Sequence, residues 1–415
     1  MNRWTFRCGE CGTSYAEAEV RLTCPACSAL QEAGGATRGV LDVEWFELPG
    51  AWPAGPATGP EFLSAFLPIA STASLPPLPV GGTPLLPAPE LRRELGLPHL
   101  WVKDDTRNPS GSTKDRASLL VAAKAREYRI ETVAAASTGN AATALAAVAA
   151  SCGLRAVVFV PASAPRAKLV QMMSYGAEVL AVDGTYDDAF ELCREACDAF
   201  GWYNRNTALN PFTIEGKKTA ALEIAADLAP ESPDVVLVPT GDGVIAAGVA
   251  KGFAEAARAG LLSGAPRLVV VQPEGSAAIS TALRTGADAV SPLPGARSVA
   301  DSLVVEIPRN AIGCLRRVRE SGGTGVVVPD EAILAAIPTL ASATGVFPEP
   351  AAAAALAGLE TALDEGIVDR DERVVLLVTG TGLKDVPAAA RALPPIEPVP
   401  PDLEAVRERL AAGGL

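Results

Sequence analysis

Lys114 is the residue on which chemistry can be built. It closes the run Asn108-Pro-Ser-Gly-Ser-Thr-Lys114, which follows an apolar stretch at Leu100–Val102 and reads as a turn leading into a helix. Asn-Pro-Ser-Gly is turn chemistry, Ser112 or Thr113 can cap, and Ala117 with Leu119 to Ala123 carries the helix onward. A cation at a helix N-terminus opposes the macrodipole, so losing its charge costs less there. Burial near that end, or near Arg116, pushes the amine toward the neutral form that attacks carbonyls. Lys114 is therefore a candidate Schiff-base lysine.

A second constellation opens the chain. Cys8-Gly-Glu-Cys11 is followed after twelve residues by Cys24-Pro-Ala-Cys27, the spacing that a tetrahedral four-thiolate site requires, with Gly9 and Pro25 for the tight knuckles. A segment of about thirty residues cannot bury a core alone, so a metal supplies its folding energy. Geometry and ligand softness favour structural Zn2+, with rubredoxin-like iron or paired disulfides as the alternatives. Few basic residues beyond Arg3, Arg7 and Arg21 accompany it, which fits a structural or interface role better than nucleic-acid binding. Cys193 and Cys197 share a helical face with Tyr186, Phe190 and Phe200 and read as core.

Three loops at predicted strand ends add polar groups. Ser137-Thr138-Gly139-Asn140 opens a helix and offers hydroxyls and N–H groups to a carboxylate, or simply an N-cap. At Thr240-Gly241-Asp242-Gly243-Val244 the glycines let the backbone close around a phosphate, provided the Asp242 carboxylate faces away. At Thr379-Gly-Thr-Gly-Leu-Lys384-Asp385, Thr379 offers a neutral hydroxyl to a buried ring nitrogen, or the segment is a plain glycine turn.

These loops need a scaffold, and the chain is long enough to provide one. At 415 residues, 49% hydrophobic with mean hydropathy +0.24 and no 18-residue apolar run, it reads as a soluble protein of two to three domains. No charged-then-apolar leader opens it, so a cytoplasmic location is expected. A net charge of -13 disfavours nonspecific binding to nucleic acid or anionic membrane. The sole histidine, His99, leaves little room for a Ser-His-Asp triad or a histidine-ligated catalytic metal, and it reads as structural. Gly50 to Pro89 is rich in Pro, Ala and Gly and reads as a linker wrapping a surface, and Pro394 to Pro401 as an extended tail.

From residue 132 onward strands and helices alternate. Strands are predicted at 132–136, 156–160, 178–182, 235–238, 268–271 and 374–378, and helices at 139–151, 164–175, 186–200 and 244–259. The pattern predicts an α/β protein of two doubly wound units, with ligands at the carboxyl ends of the strands.

The motifs, in order, resemble those of fold-type II pyridoxal-phosphate (PLP) enzymes, and within these the threonine synthase family. They are Gly-Gly-Thr-Pro-Leu at 81–85, Asn-Pro-Ser-Gly-Ser-Thr-Lys-Asp-Arg at 108–116 and Ser-Thr-Gly-Asn at 137–140. Asn-Pro at 210–211, Glu-Gly-Lys-Lys-Thr at 215–219, Glu-Pro-Ala-Ala-Ala at 349–353 and Thr-Gly-Thr-Gly-Leu-Lys-Asp at 379–385 complete the set. The N-terminal four-cysteine segment is similar to that of some threonine synthases and of cysteate synthases. The resemblance implies that Lys114 holds PLP as a Schiff base and shuttles protons. It implies that Asn140 meets the ring hydroxyl, that Thr240, Gly241, Asp242, Gly243 and Val244 cradle the cofactor phosphate, and that Thr379 faces the ring nitrogen. Ser137, Thr138 and Gly139 would hold the carboxylate of a phosphorylated amino-acid substrate, O-phosphohomoserine, which reacts with water to give threonine and phosphate. The domains it implies are a zinc-ribbon-like segment at 1–35, a large PLP-binding domain at 36–117 with 226–395, a small domain at 118–225 and a tail at 396–415, in a homodimer.

Some positions depart from the family pattern. Thr113 precedes the lysine where many relatives have Phe, and the phosphate loop carries Asp242 where an Asn-containing glycine loop is common. Relatives often place an arginine near Thr213 for the substrate phosphate. Arg116 and Lys217 are the first candidates to replace it, with Arg166, Lys168, Arg205 and Lys218 behind them. The sister reactions on the same scaffold, β-replacement on O-phosphoserine or deamination of threonine or serine, are the alternatives.

Overall fold

Val235-Val-Leu-Val and Val374-Val-Leu-Leu-Val are apolar on both faces, and in the computed structural model both lie at the centre of a sheet covered on both sides. Residues 3–32, 35–164 and 166–412 are described, without the side chains of 167, 168 and 412.

The strands are β1 (Trp4–Cys8), β2 (Ser14–Tyr15), β3 (Leu41–Trp45), β4 (Leu85–Leu86), β5 (Leu100–Asp104), β6 (Thr132–Ala136) and β7 (Arg155–Pro161). They continue with β8 (Glu178–Val182), β9 (Tyr203–Asn204), β10 (Val235–Pro239), β11 (Arg267–Pro273), β12 (Thr324–Val328) and β13 (Val374–Val378). The six-stranded sheet runs β12-β11-β10-β13-β5-β4, parallel except for the antiparallel edge strand β4. A four-stranded parallel sheet, β8-β7-β6-β9, forms the second unit. A small antiparallel sheet, β2-β1-β3, carries the cysteine pairs and extends to Trp45, well beyond residue 35.

The helices that shape the site are α1 (Lys114–Glu127), α2 (Asn140–Cys152), α3 (Tyr186–Phe200), α4 (Phe212–Lys217), α5 (Val244–Arg258), α6 (Ala311–Glu320) and α7 (Pro350–Asp364). The alternation read from the sequence holds, with Cys193 and Cys197 buried on the inner face of α3. Tyr186 and Phe200, at the ends of that stripe, are exposed.

The segment 50–89 is more than a wrapping. Pro60–Phe66 is a helix, because Pro60 at its first position fixes φ and Phe62 and Phe66 fall one turn apart on the buried face, where Trp52 packs on both. His99 is exposed beside the Trp101 ring and takes no part in the cavity described next.

Candidate active site and four-cysteine centre

Lys114 is the first residue of α1, delivered by the turn that leaves β5. Neither Ser112 nor Thr113 caps that helix: both hydroxyls are buried without a hydrogen-bond partner. Asp115 stabilises the turn instead, accepting the Ser110 N–H at 2.7 Å and the Ser110 hydroxyl at 2.5 Å. Burial pushes the Lys114 amine down to about 8, and the nearby Arg205 adds to the effect while Glu349 opposes it. An amine in that range supplies the neutral form near physiological pH.

A cavity of about 620 Å³ lies between the two larger sheets, at the carboxyl ends of β6 and β10. Lys114, the Ser137–Asn140 loop and the Thr240–Val244 loop all line it. At α2 the N-cap position falls on Gly139, with no side chain capping, so Ser137 and Thr138 are not caps; the Ser137 hydroxyl accepts the Gly139 N–H at 3.2 Å. At α5 the N-cap is Gly243, likewise without a side-chain cap, which leaves first-turn N–H groups for an anion. The Asp242 carboxylate accepts the Arg309 N–H at 3.3 Å, and the Asp242 carbonyl takes the Asn310 N–H at 3.0 Å. Burial pushes the Asp242 carboxyl above its ordinary value, which eases the repulsion foreseen beside a phosphate.

Gly243 has φ +84°, and a Cβ there would come within 2.7 Å of the Cys314 Cβ. Gly243→Ala is expected to cost about 1–3 kcal/mol of stability. It should also weaken cofactor retention, which equilibrium dialysis against PLP together with thermal unfolding would measure.

Thr379 directly follows β13 and is buried; its carbonyl accepts the Thr113 N–H at 2.8 Å, tying the terminal Thr-Gly loop to the lysine turn without contributing to the cavity lining. Beside it sits Glu349, the first residue of the Glu-Pro-Ala-Ala-Ala motif. Its carboxylate accepts the Asn140 amide at 2.8 Å and its N–H donates to the Gly380 carbonyl at 3.0 Å. Burial raises its carboxyl above the usual range, partly offset by the Asn140 hydrogen bond. A glutamate before a proline marks a helix start, but no spacing in the sequence connects it with Asn140.

The six candidate cations separate cleanly. Arg116 does not line the cavity: its guanidinium is fully buried against Asp105 (2.7 Å) and Glu223 (2.5 Å), and Lys103 joins the same Glu223 at 2.8 Å. Its place as a substrate-binding residue is therefore corrected, because both carboxylates already occupy it. Lys218 is held by Glu215 and Glu255, each at 2.7 Å, Arg166 is exposed, and the Lys168 side chain is outside the described residues. Arg205 and Lys217 do line the cavity. One terminal nitrogen of Arg205 is buried without a partner, and the Lys217 amine reaches only the Thr207 hydroxyl at 3.4 Å among the described hydrogen bonds. Burial pushes the Lys217 amine far below its ordinary value, and Lys114 and Arg205 push it further. Such groups are built for an anion. With Lys114, the orphaned donors and the glycine cradle, the residues fit a phosphorylated aldehyde cofactor and a second anionic group.

At the N-terminal sheet the four cysteine sulfurs lie within 4.8 Å of one another. Cys8 to Cys27 and Cys11 to Cys24 are each 3.7 Å apart, against the edge of about 3.8 Å of a tetrahedron with zinc–sulfur bonds of about 2.3 Å. The hydroxyl of Tyr15 lies 3.1 Å from the Cys24 sulfur, placed to donate to a thiolate. The set fits a tetrahedral metal ion.

Fold and site define a pyridoxal-phosphate dependent enzyme, and the family model of that description matches residues 77–380. Solved structures share the fold: a fungal L-serine ammonia-lyase from Rhizomucor miehei has a TM-score of 0.64 at 20% identity, covering 75% of this chain and 96% of that one. Maize serine racemase has a TM-score of 0.63 at 22% identity, covering 80% and 93%. Over nearly its whole length the chain is similar to threonine synthase of Methanosarcina acetivorans, 36% identical over 409 residues and 98% of each chain. Threonine synthase of Methanocaldococcus jannaschii is 36% identical over 398 residues, 93% of this chain and 94% of the relative. The chain belongs to the threonine synthase family of these enzymes.

Proposed function

We infer that the protein is a PLP-dependent lyase that converts O-phosphohomoserine and water to threonine and phosphate. The observation that carries this reading is the pair of buried cations, Arg205 and Lys217, sharing one cavity with Lys114 and the glycine loop, so that two phosphate groups can be held at once. PLP, when bound, supplies the electron sink for carbanion chemistry at the substrate carbons.

In this reading Lys114 would hold the cofactor, and its amine, when free, would move protons at the substrate carbons. The N–H groups of Gly241 to Val244 take the cofactor phosphate, with Thr240 anchoring the loop through its own N–H and hydroxyl on the Val271 and Val238 carbonyls, and Asn140 takes the ring hydroxyl; Thr379, buried behind the lining, is the residue the family resemblance assigns to the ring nitrogen. Ser137, Thr138 and Gly139 take the substrate carboxylate. Arg205 and Lys217 bind the phosphate that leaves, in place of an arginine near Thr213. The four-stranded unit, 118–225, serves as the small domain against 46–117 and 226–395, with β3 counted in the N-terminal unit and 396–415 as a tail.

Incubating the cofactor-loaded enzyme with O-phosphohomoserine should release phosphate and threonine in equal amounts. Turnover of O-phosphoserine instead, or deamination of threonine or serine, would establish a sister reaction and remove this one.

The metal is proposed to be zinc. Cys24→Ser is expected to lower bound zinc below one per chain and to lose a thermal unfolding step of the N-terminal unit, as read by elemental analysis and calorimetry. No described helix is long and apolar enough to cross a membrane. A cytoplasmic homodimer is the setting this reading takes from the family resemblance.

A further inference from the structure

The four-cysteine unit docks on the walls of the active-site cavity. Asp42, on β3, pairs with Arg316 at 2.5 Å and Arg317 at 2.7 Å, both on α6, while the carbonyl of Gly9, next to Cys8, accepts from Arg316 at 3.0 Å. The Val43 carbonyl accepts the Lys251 amine of α5. Lys251 pairs with Glu215 at 2.6 Å, and Lys218, whose amine lies over the Trp45 ring, pairs with the other oxygen of Glu215 at 2.7 Å. Trp4 and Phe6 pack edge-on and tilted against Phe212, the first residue of α4. The Thr37 N–H meets the Arg309 carbonyl at 2.9 Å, and the neighbouring N–H groups of Arg309 and Asn310 are those that hold Asp242.

These contacts converge on α4. Glu215 and Lys217 are two residues apart on that short helix, hence about 200° apart around its axis. Glu215 faces the ion pairs that lead to the ribbon, and Lys217 faces the cavity. The helix is thus gripped on its back by the N-terminal unit while its front presents the cation.

We propose that the four-cysteine unit is a positioning element of the active site: held on α6 by Asp42, it sets, through the Val43 carbonyl, Lys251 and Glu215, where Lys217 meets the phosphate of the substrate. This rests on the reading of Lys217 as a phosphate ligand given above. Metal loss unfolds a segment too small to hold itself, taking Asp42 from Arg316 and Arg317 and the Val43 carbonyl from Lys251. Lys251 and its neighbours then redistribute over Glu215 and Glu255, and α4 loses its backing. Among the described residues the lysine turn, 108–114, makes no hydrogen bond or ion pair with the ribbon, and α1 meets that unit about two to three turns farther along, where Lys124 pairs with Glu17 and lies over the Trp4 ring, so the cofactor link at Lys114 persists while phosphate affinity falls.

The test is a double-mutant cycle on the cofactor-loaded enzyme, titrated with inorganic phosphate while cofactor absorbance is followed, for wild type, Asp42→Asn, Lys217→Met and the double variant. Asp42→Asn, with wild-type metal content and circular dichroism, is expected to weaken phosphate binding about tenfold. The double variant should bind no more weakly than Lys217→Met alone. Additive losses, or unchanged phosphate binding in Asp42→Asn, overturn the proposal and leave the reading of Lys217 standing. Unchanged binding in Lys217→Met overturns both. If Asp42→Asn does not fold, the same titration after chelating the metal from wild type decides it: a loss confined to the protein that retains Lys217 supports the coupling, and an equal loss in Lys217→Met rejects it.

Discussion

Lys114→Ala is expected to fold, to lose the absorbance of the lysine-bound cofactor, and to turn over at least about a thousandfold more slowly than wild type. Folding should survive because the amine is a burial cost, not a structural tie: its own pKa is depressed to about 8, and the turn that carries it is held by Asp115 and Ser110. The same depression fixes the sign of a pH effect. Reloading of cofactor onto the stripped wild-type protein needs the neutral amine, so its rate should climb with pH up to about 8 and level off above it. A stopped-flow reconstitution series measures this. Turnover retained by Lys114→Ala, with threonine and phosphate still produced, would overturn the central assignment.

Lys217→Met should leave the cofactor spectrum intact and lower kcat/KM for O-phosphohomoserine about 10- to 100-fold, the loss of one charge-assisted contact to phosphate. The methionine fills the same volume without a buried amine, so thermal stability should hold or rise. A second signature separates this from a packing effect. The amine is depressed by burial and by Lys114 and Arg205, and a phosphate dianion favours its charged form. Phosphate binding to the wild type should therefore take up a proton and weaken as pH rises. Calorimetric titrations in buffers of different ionisation enthalpy should show that uptake in wild type and its absence in Lys217→Met. Equal kcat/KM in the two proteins would leave Arg205 alone as the phosphate ligand.

The lysine turn, the two helix-opening loops and the four cysteines were legible because each is a local signal: a turn dipeptide, a glycine at a helix start, a fixed spacing. The strands at 235–239 and 374–378 were legible because a buried parallel strand is apolar throughout. Between residues 272 and 373 the alternation was not followed. There β12 is a glycine-containing strand, the helix at 350–364 is mostly alanine and leucine, which blurs the period of an amphipathic face, and the helix at 330–344 carries Pro338 in its interior, a breaker signal, although Ile333, Ala336, Ile337 and Leu340 keep helical spacing. The helix at 403–412 went unread for another reason, since it lies beyond a proline-rich stretch and is largely exposed.

What stayed hidden at the site is nonlocal. Arg116 and Lys217 look alike in sequence, each a cation beside a turn motif, and only the arrival of Glu223 and Asp105 from distant segments tells the committed one from the available one. Glu349 is likewise 209 residues from the amide it holds.

The quartet of Lys103, Asp105, Arg116 and Glu223 has a consequence for how this chain can change over generations. Glu223 also accepts the Gly82 N–H at 2.9 Å, and a Cβ on Gly81 would lie 2.5 Å from its carboxylate, so backbone and side chains are locked together. Removing any one member leaves an unmatched charge in the interior, at a cost of about 3–5 kcal/mol, a large share of the stability of a typical domain. A lineage can leave this arrangement only by crossing such an intermediate or by exchanging partners together. Among descendants of this sequence, Arg116 should therefore vary in step with Asp105 and Glu223, while the cavity-facing Lys217, bound by no such contract, is free to be the position where substrate preference drifts.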